Sequence, residues 1–213
     1  MSEYFDWKEK INRAELKKSA KVLKNNGTIV FPTETVYGIG ASAISDKAVQ
    51  KVFEIKFRPE NKPINIMVDN IKEICKYANI KSDIEKQIIE KFMPGPITII
   101  LEKKENISNK VTAGNRKIGI RIPDNKIALE LLKECNIPIV ASSANISGKD
   151  SGINIEEIKK ELGENVNIYI DGGTIKMGEP STIVEVINNE IVIHRKGKIT
   201  KKQIEKKITY EEK

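Results

Sequence analysis

Two short segments, Lys56-Phe57-Arg58 and Ser142-Ser143-Ala144-Asn145, hold the residue types of a polyanion site. An arginine presents a planar fork of donors that fits phosphate or carboxylate, and a lysine adds a compact, movable charge. The serines and Asn145 contribute small hydrogen-bonding side chains on tightly turning backbone. A hydroxyl-rich run, Pro32-Thr33-Glu34-Thr35-Val36-Tyr37-Gly38, precedes both and leaves the first apolar strand. Arg195 adds a further cation, Lys62 extends the charge beyond Arg58, and Ser143, Ser151 and Ser181 can donate to phosphate or ribose oxygens. Together these groups suit a polyanion held beside a small polar molecule.

Rival chemistries lack their parts. No G-x-x-x-x-G-K-[ST] occurs, and Gly38 and Gly40 do not complete a G-x-G-x-x-G because Ala43 takes the last position. Ser142 and Ser143 have no base and no surrounding G-x-S-x-G, which excludes a hydrolase triad. The single histidine, His194, has no acid or cysteine partner in sequence and reads as structural. Cys75 shares a helical stripe with Ile71, Ile74 and Ala78, and Cys135 with Ala128, Leu131 and Leu132, so both read as buried packing residues. Neither cysteine fits a zinc pattern or a disulfide framework. No protein metal-ligand set is expected, and the chemistry must rest on electrostatic positioning.

The elements that must position these residues alternate between helical and strand periodicity, which defines an α/β domain. Leu16, Ala20 and Leu23 mark a helix ending at Asn25-Asn26-Gly27, with Gly27 expected as the left-handed cap. Ser45-Asp46 opens a helix whose stripe is Val49, Val52, Phe53 and Lys56, which turns Lys56 to the core side at the last turn. Ser82-Asp83-Ile84-Glu85 is a capping box, and Asp124 is expected to cap the helix holding Leu131. Residues 28–31, 64–68, 97–101, 117–122, 138–141 and 166–170 read as strands. Asn188-Asn189 joins two further strands in a hairpin, so the sheet is expected to be mixed. The polar clusters at 33–37, Arg121, 142–145 and 171–173 stand at strand ends, where α/β sheets bind ligands, and are expected to share one cleft.

One domain over 1–213 is the simplest organisation, with a core at about 12–197 and a peripheral charged helix and tail over 198–213. The 37 Lys and Arg against 30 Asp and Glu leave +7, a balance suited to nucleotides or RNA. The N-terminus has no apolar signal core, and no stretch approaches the ~20 apolar residues of a membrane span. A cytosolic location without membrane contact is expected.

Six segments run in one order along the chain: 31–38, Phe53-Glu54-Ile55-Lys56-Phe57-Arg58-Pro59, Met93-Pro94-Gly95-Pro96-Ile97-Thr98, Gly119-Ile120-Arg121-Ile122-Pro123, 142–145, and Gly178-Glu179-Pro180-Ser181-Thr182-Ile183. In this order they resemble the threonylcarbamoyl-AMP synthases, the family of the YrdC-like domain, in a short single-domain form. The resemblance implies a twisted open mixed sheet flanked by helices, with a concave, basic face. It implies that L-threonine, bicarbonate and ATP, with Mg2+, give threonylcarbamoyl-AMP and pyrophosphate, the first step of t6A formation in tRNA. The acceptor of the product would be tRNA or a tRNA threonylcarbamoyl-transferase complex. By carry-over, Lys56, Arg58, Ser143 and Asn145 form the catalytic signature. Thr35, Tyr37, Met67, Arg121, Ala141 and Ser181 would surround threonine, and Arg58, Lys62, Lys117, Ser143, Ser151 and Arg195 would contact ATP. Three positions depart from patterns in the family: Met67 stands where members with a long C-terminal extension often have His and short members vary, Ser142 where Pro is common, and Lys62 where Asn is frequent. Two other readings stay open: an RNA-binding module of the same fold, and a carbamoyl-adenylate-forming enzyme.

Overall fold

The computed structural model describes residues 1–209, so residues 210–213 of the expected tail lie outside the described residues. In chain order the elements are β1 (Glu3–Asp6), α1 (Arg13–Lys24), β2 (Ile29–Pro32), β3 (Tyr37–Ser42), α2 (Asp46–Ile55), β4 (Asn65–Met67), α3 (Ile71–Tyr77), β5 (Ala78–Asn79) and α4 (Asp83–Phe92). There follow β6 (Ile97–Lys103), β7 (Lys117–Arg121), α5 (Lys126–Cys135), β8 (Ile139–Ser143), α6 (Ile155–Leu162), β9 (Ile168–Asp171), β10 (Thr182–Ile187), β11 (Glu190–Arg195) and α7 (Lys201–Lys207). The strands form one sheet in the order β1-β9-β2-β3-β8-β4-β7-β6-β10-β11, with β5 added on β6. Parallel pairs such as β4 with β7 and β6 with β10 are interleaved with antiparallel ones such as β3 with β8 and β6 with β7. The sheet is therefore mixed, and the β10–β11 hairpin turns on Asn188 and Asn189 at φ 52° and 65°, the left-handed pair that a two-residue turn requires.

Side chains alternate across a strand, and here the two faces meet different fates. One face is apolar throughout: Val30, Ile39, Ile66, Ile99, Ile120, Val140 and Val184 cluster with Val49 and Val52 of α2, Ile88 of α4, Ile158 of α6 and Ile204 of α7. The reverse face is covered along one half only. There Ile29, Phe31, Ile139, Ile168 and Ile170 pack with Leu16 and Leu23 of α1 and with Leu131 and Leu132 of α5. Over β4, β7, β6 and β10 the reverse face instead forms the floor of a cleft. No helix among the described residues is long and apolar enough to cross a membrane.

Several local expectations change. Asn26, at φ 61°, takes the left-handed position after α1. Gly27 is needed for a different reason: a Cβ there would overlap Val22 Cγ1 and sit 2.9 Å from the Val22 carbonyl oxygen. Asn125, not Asp124, caps α5, because its side chain accepts from the Ile127 and Ala128 amides. Cys75 is exposed, since α3 turns Ile74 and Tyr77 inward and ends before Ala78, which enters β5. Cys135 is buried, and that burial pushes its thiol up to about 12. The helix after Lys198 is no loose appendage, because Ile204 and Ile208 are both buried in the core. β1 and β3 had no place in the sequence reading.

Candidate active site

The cleft encloses about 860 Å³. Its floor is the sheet itself: Asn65 and Met67 on β4, Gly119 and Arg121 on β7, Thr98 and Ile100 on β6, and Ile183 and Glu185 on β10, each pair spaced by two as the pleat demands. Loops supply the rim, including Thr33, Thr35, Arg58, Ser143 and Ser151. The site thus lies across a sheet face rather than beyond strand ends. A Cβ at Gly119 would overlap Asn65 Oδ1 and come within 3.1 Å of Thr98 Cγ2, so glycine keeps the middle of the floor open.

Arg121, at the end of β7, is 5% exposed. Its Nε donates to the Gly95 carbonyl at 3.1 Å, and both Nη atoms donate to Thr35 Oγ1 at 3.1 Å. Glu34 Oε1 lies 2.6 Å from Arg121 Nη2. That contact is one of charge without hydrogen-bond alignment, and both Glu34 carboxylate oxygens are buried without a donor among the described residues. Thr33 Oγ1 and Thr35 Oγ1 share a hydrogen bond of 2.9 Å, so residues 33–35 wrap the guanidinium as one turn.

Arg58 and Arg195 form the second group. Arg58 donates from Nη2 to the Pro63 carbonyl at 2.6 Å and lies over the Phe53 ring, 6.0 Å from its centroid. Arg195 donates to the Ser181 carbonyl at 2.9 and 3.0 Å and to Ser181 Oγ at 3.0 Å. Ser181 Oγ in turn meets Thr98 Oγ1 at 2.9 Å. Burial holds the Arg58 guanidinium below its ordinary range. Arg195 is lowered too, by burial first and then by repulsion from Arg121 and Arg58, so both of these cations lie in range of Arg195. Farther along the floor, Glu185 bridges Lys117 and His194, the latter through Nε2 at 2.6 Å.

The expected residues divide. Thr35, Arg58, Met67, Lys117, Arg121, Ala141, Ser143, Ser151, Ser181 and Arg195 line the cleft. Lys56, Tyr37, Asn145 and Lys62 are not among its lining residues. Tyr37 is buried and its hydroxyl donates to the Gly173 carbonyl at 2.7 Å while accepting from the Gly172 amide at 3.0 Å. Burial raises its pKa. Asp171 meets Tyr4 and Lys8, so the 171–173 cluster braces the β1 edge instead of joining the cleft. Lys62 meets Arg58 through its backbone, its carbonyl accepting from Arg58 Nε at 3.3 Å. Lys56 has its ammonium on the carbonyls of Ser143 and Asn145.

Sequence reasoning missed Asn65, Thr98, Glu185 and the role of Glu34, and read His194 as structural although it stands in the cleft wall. A signal existed for two of them. Thr98 interrupts an otherwise aliphatic strand, and Glu185 and His194 fall on two strands of a recognisable hairpin, where a carboxylate can face a histidine.

The Sua5/YciO/YrdC family model, described as telomere recombination, matches residues 21–197, and the chain belongs to this family. A Bacillus subtilis protein named threonylcarbamoyl-AMP synthase is 37% identical over 195 residues, covering 91% of this chain and 56% of its own length. A Methanocaldococcus jannaschii protein that carries the name provisionally is 46% identical over 193 residues, covering 89% of this chain and 90% of its own. Among solved structures, Pyrococcus abyssi Sua5 complexed with L-threonine superposes with a TM-score of 0.92 at 32% identity, covering 96% of this chain and 60% of that one. The chain thus spans little more than half of the Bacillus and Pyrococcus relatives.

Proposed function

We propose that this chain is a threonylcarbamoyl-AMP synthase, joining L-threonine, bicarbonate and ATP into threonylcarbamoyl-AMP with release of pyrophosphate. The observation that carries the reading is Arg121, a guanidinium buried in the cleft floor beside a second cation, Arg195, which also feels Arg58. Three cations in one cleft suit two anions that must meet, an amino-acid carboxylate and a triphosphate. Arg121 takes the threonine carboxylate, with Thr35, Ser181 and the Ala141 backbone around the polar groups and Met67 beside the methyl. Arg58, Ser143, Ser151 and Arg195 take the phosphates, and Lys117 stands at the nucleotide's far end. The resulting basic, concave sheet face is part of the same proposal, as is a single functional unit running through α7.

The threonine ammonium and bicarbonate combine to give the carbamate, water and one proton. A carbamate oxygen then attacks the α-phosphorus, and the bond to the bridging oxygen breaks as its electron pair leaves with pyrophosphate. Both partners are anions, so alignment and offset of repulsion supply the rate. No side chain forms a covalent intermediate. Among the described residues no group of three or more His, Cys, Asp or Glu could hold a metal ion. In this proposal Mg2+ arrives on the triphosphate, as part of the substrate. The product is passed to tRNA or to a complex that transfers the threonylcarbamoyl group to it.

The test is pyrophosphate release from MgATP. Release that needs both threonine and bicarbonate supports the assignment. Release indifferent to threonine, from folded protein, sinks it and moves the weight to carbamoyl-adenylate formation or RNA binding.

A further inference from the structure

The chain reverses between the two cations of Lys56-Phe57-Arg58. Phe57 adopts φ 47°, a left-handed conformation unfavourable for a bulky side chain. The turn closes α2, with the Phe57 amide donating to Glu54 O at 3.1 Å and the Arg58 amide to Phe53 O at 2.9 Å. Residues two apart are thereby separated: Arg58 lines the cleft, whereas Lys56 lies behind its wall and is 1% exposed.

Lys56 is held by the end of β8 and the loop that follows it. Its ammonium donates to the Ser143 and Asn145 carbonyls, and its own carbonyl accepts from the Ser147 amide at 2.8 Å. Asn145 Nδ2 donates to the Ile146 and Lys149 carbonyls at 2.8 and 2.9 Å. From α6, Glu161 accepts from the Ile146 amide at 2.6 Å. Ser143 alone of this group faces the cleft.

We infer that Lys56 is a positioning residue: its ammonium clamps the backbone of 143–147 so that Ser143 stays aimed at the nucleotide phosphates, with Asn145 bracing the same loop. The inference rests on the cleft being the ATP site. An ammonium with two of its three hydrogens on carbonyls, on a side chain outside the cleft lining, is engaged by the protein rather than presented to a phosphate. The charged groups facing Lys56 are Arg58 from its own turn and Glu161 from α6. Burial first, then Arg58, lower Lys56 to about 8 against the opposing pull of Glu161. Above that pH the neutral amine donates more weakly and the clamp loosens. Stability moves the other way. An unfolded lysine keeps its proton to higher pH, so this group's contribution to folding stability rises, rather than falls, as pH passes above about 8.

The experiment compares wild type with Lys56→Met and Lys56→Arg. In Lys56→Met without ligands, amides of 143–149 should exchange faster while the sheet core is unchanged. In steady state its KM for ATP should rise roughly 10- to 100-fold with kcat changed by less than about threefold, the pattern of a lost charge-assisted contact to the binding loop. Lys56→Arg, charged at every pH tested, should lose the wild-type alkaline fall in kcat/KM centred at about 8. Two results overturn the inference: a collapse of kcat at unchanged KM with unaltered loop exchange, which marks a group touching the reacting atoms, or an alkaline fall that persists in Lys56→Arg. The exchange readout needs no substrate, so it separates failure of the clamp from failure of the synthase reading. If Lys56→Met does not fold, Lys56→Arg and its pH profile decide alone.

Discussion

Arg121, in the cleft floor, meets the largely buried Glu34 of the adjoining turn, an arrangement whose cost appears when one partner is removed. Arg121→Met should destabilise the protein by about 3–5 kcal/mol in urea unfolding, because the Glu34 carboxylate oxygens lose their charge partner and have no donor among the described residues. Adding Glu34→Gln should restore a large part of that loss. Threonine affinity should stay weak in both variants, so calorimetric titration beside unfolding separates the binding role from the stability role. Gly119 gives a second residue-scale expectation. Gly119→Ala pushes a methyl into Asn65 and should cost about 1–3 kcal/mol of stability, with a disproportionate loss of threonine-dependent pyrophosphate release. Met67 supplies the apolar contact proposed for the substrate methyl. A methyl in such a pocket is worth about 1–3 kcal/mol, so serine should be accepted at roughly 10- to 200-fold lower kcat/KM, measured by parallel pyrophosphate assays.

At the scale of elements, turn chemistry decides where the rim groups point. Asn26 already occupies the left-handed position after α1, so Asn26→Gly should leave thermal stability nearly unchanged. Gly27→Ala should lower stability by about 1–3 kcal/mol, because its Cβ meets Val22; the two melting curves together check which residue is the cap. Caps and amphipathic stripes were legible in the sequence, as the Ser82 capping box on α4 shows, since they depend on residues a few positions apart. The strand β3 was not, because Tyr37-Gly38-Ile39-Gly40-Ala41-Ser42 is buried on both faces and carries no alternation of polar and apolar residues. The cleft rim was legible as hydroxyls and cations on loops. The floor was not, because Thr98, Gly119 and Asn65 become neighbours only through the strand order β4-β7-β6. Nor did the stripe of α2 disclose that a left-handed Phe57 would part Lys56 from Arg58.

At the scale of the molecule, α7 closes the main core through Ile204, which has no exposed surface. Ile204→Ala should cost about 2–5 kcal/mol, read as a lowered melting temperature, although the residue does not line the cleft. A peripheral helix would tolerate the same change. The half-covered sheet has a final consequence. The strands beneath the substrates carry the main core on their reverse side, so the floor is a rigid anvil that cannot flex without disrupting the interior. Adjustment to different ligands must fall to the rim turns at 33–36, 57–63 and 143–152, and diversification of this architecture should proceed by exchanging those turns over an unchanging base.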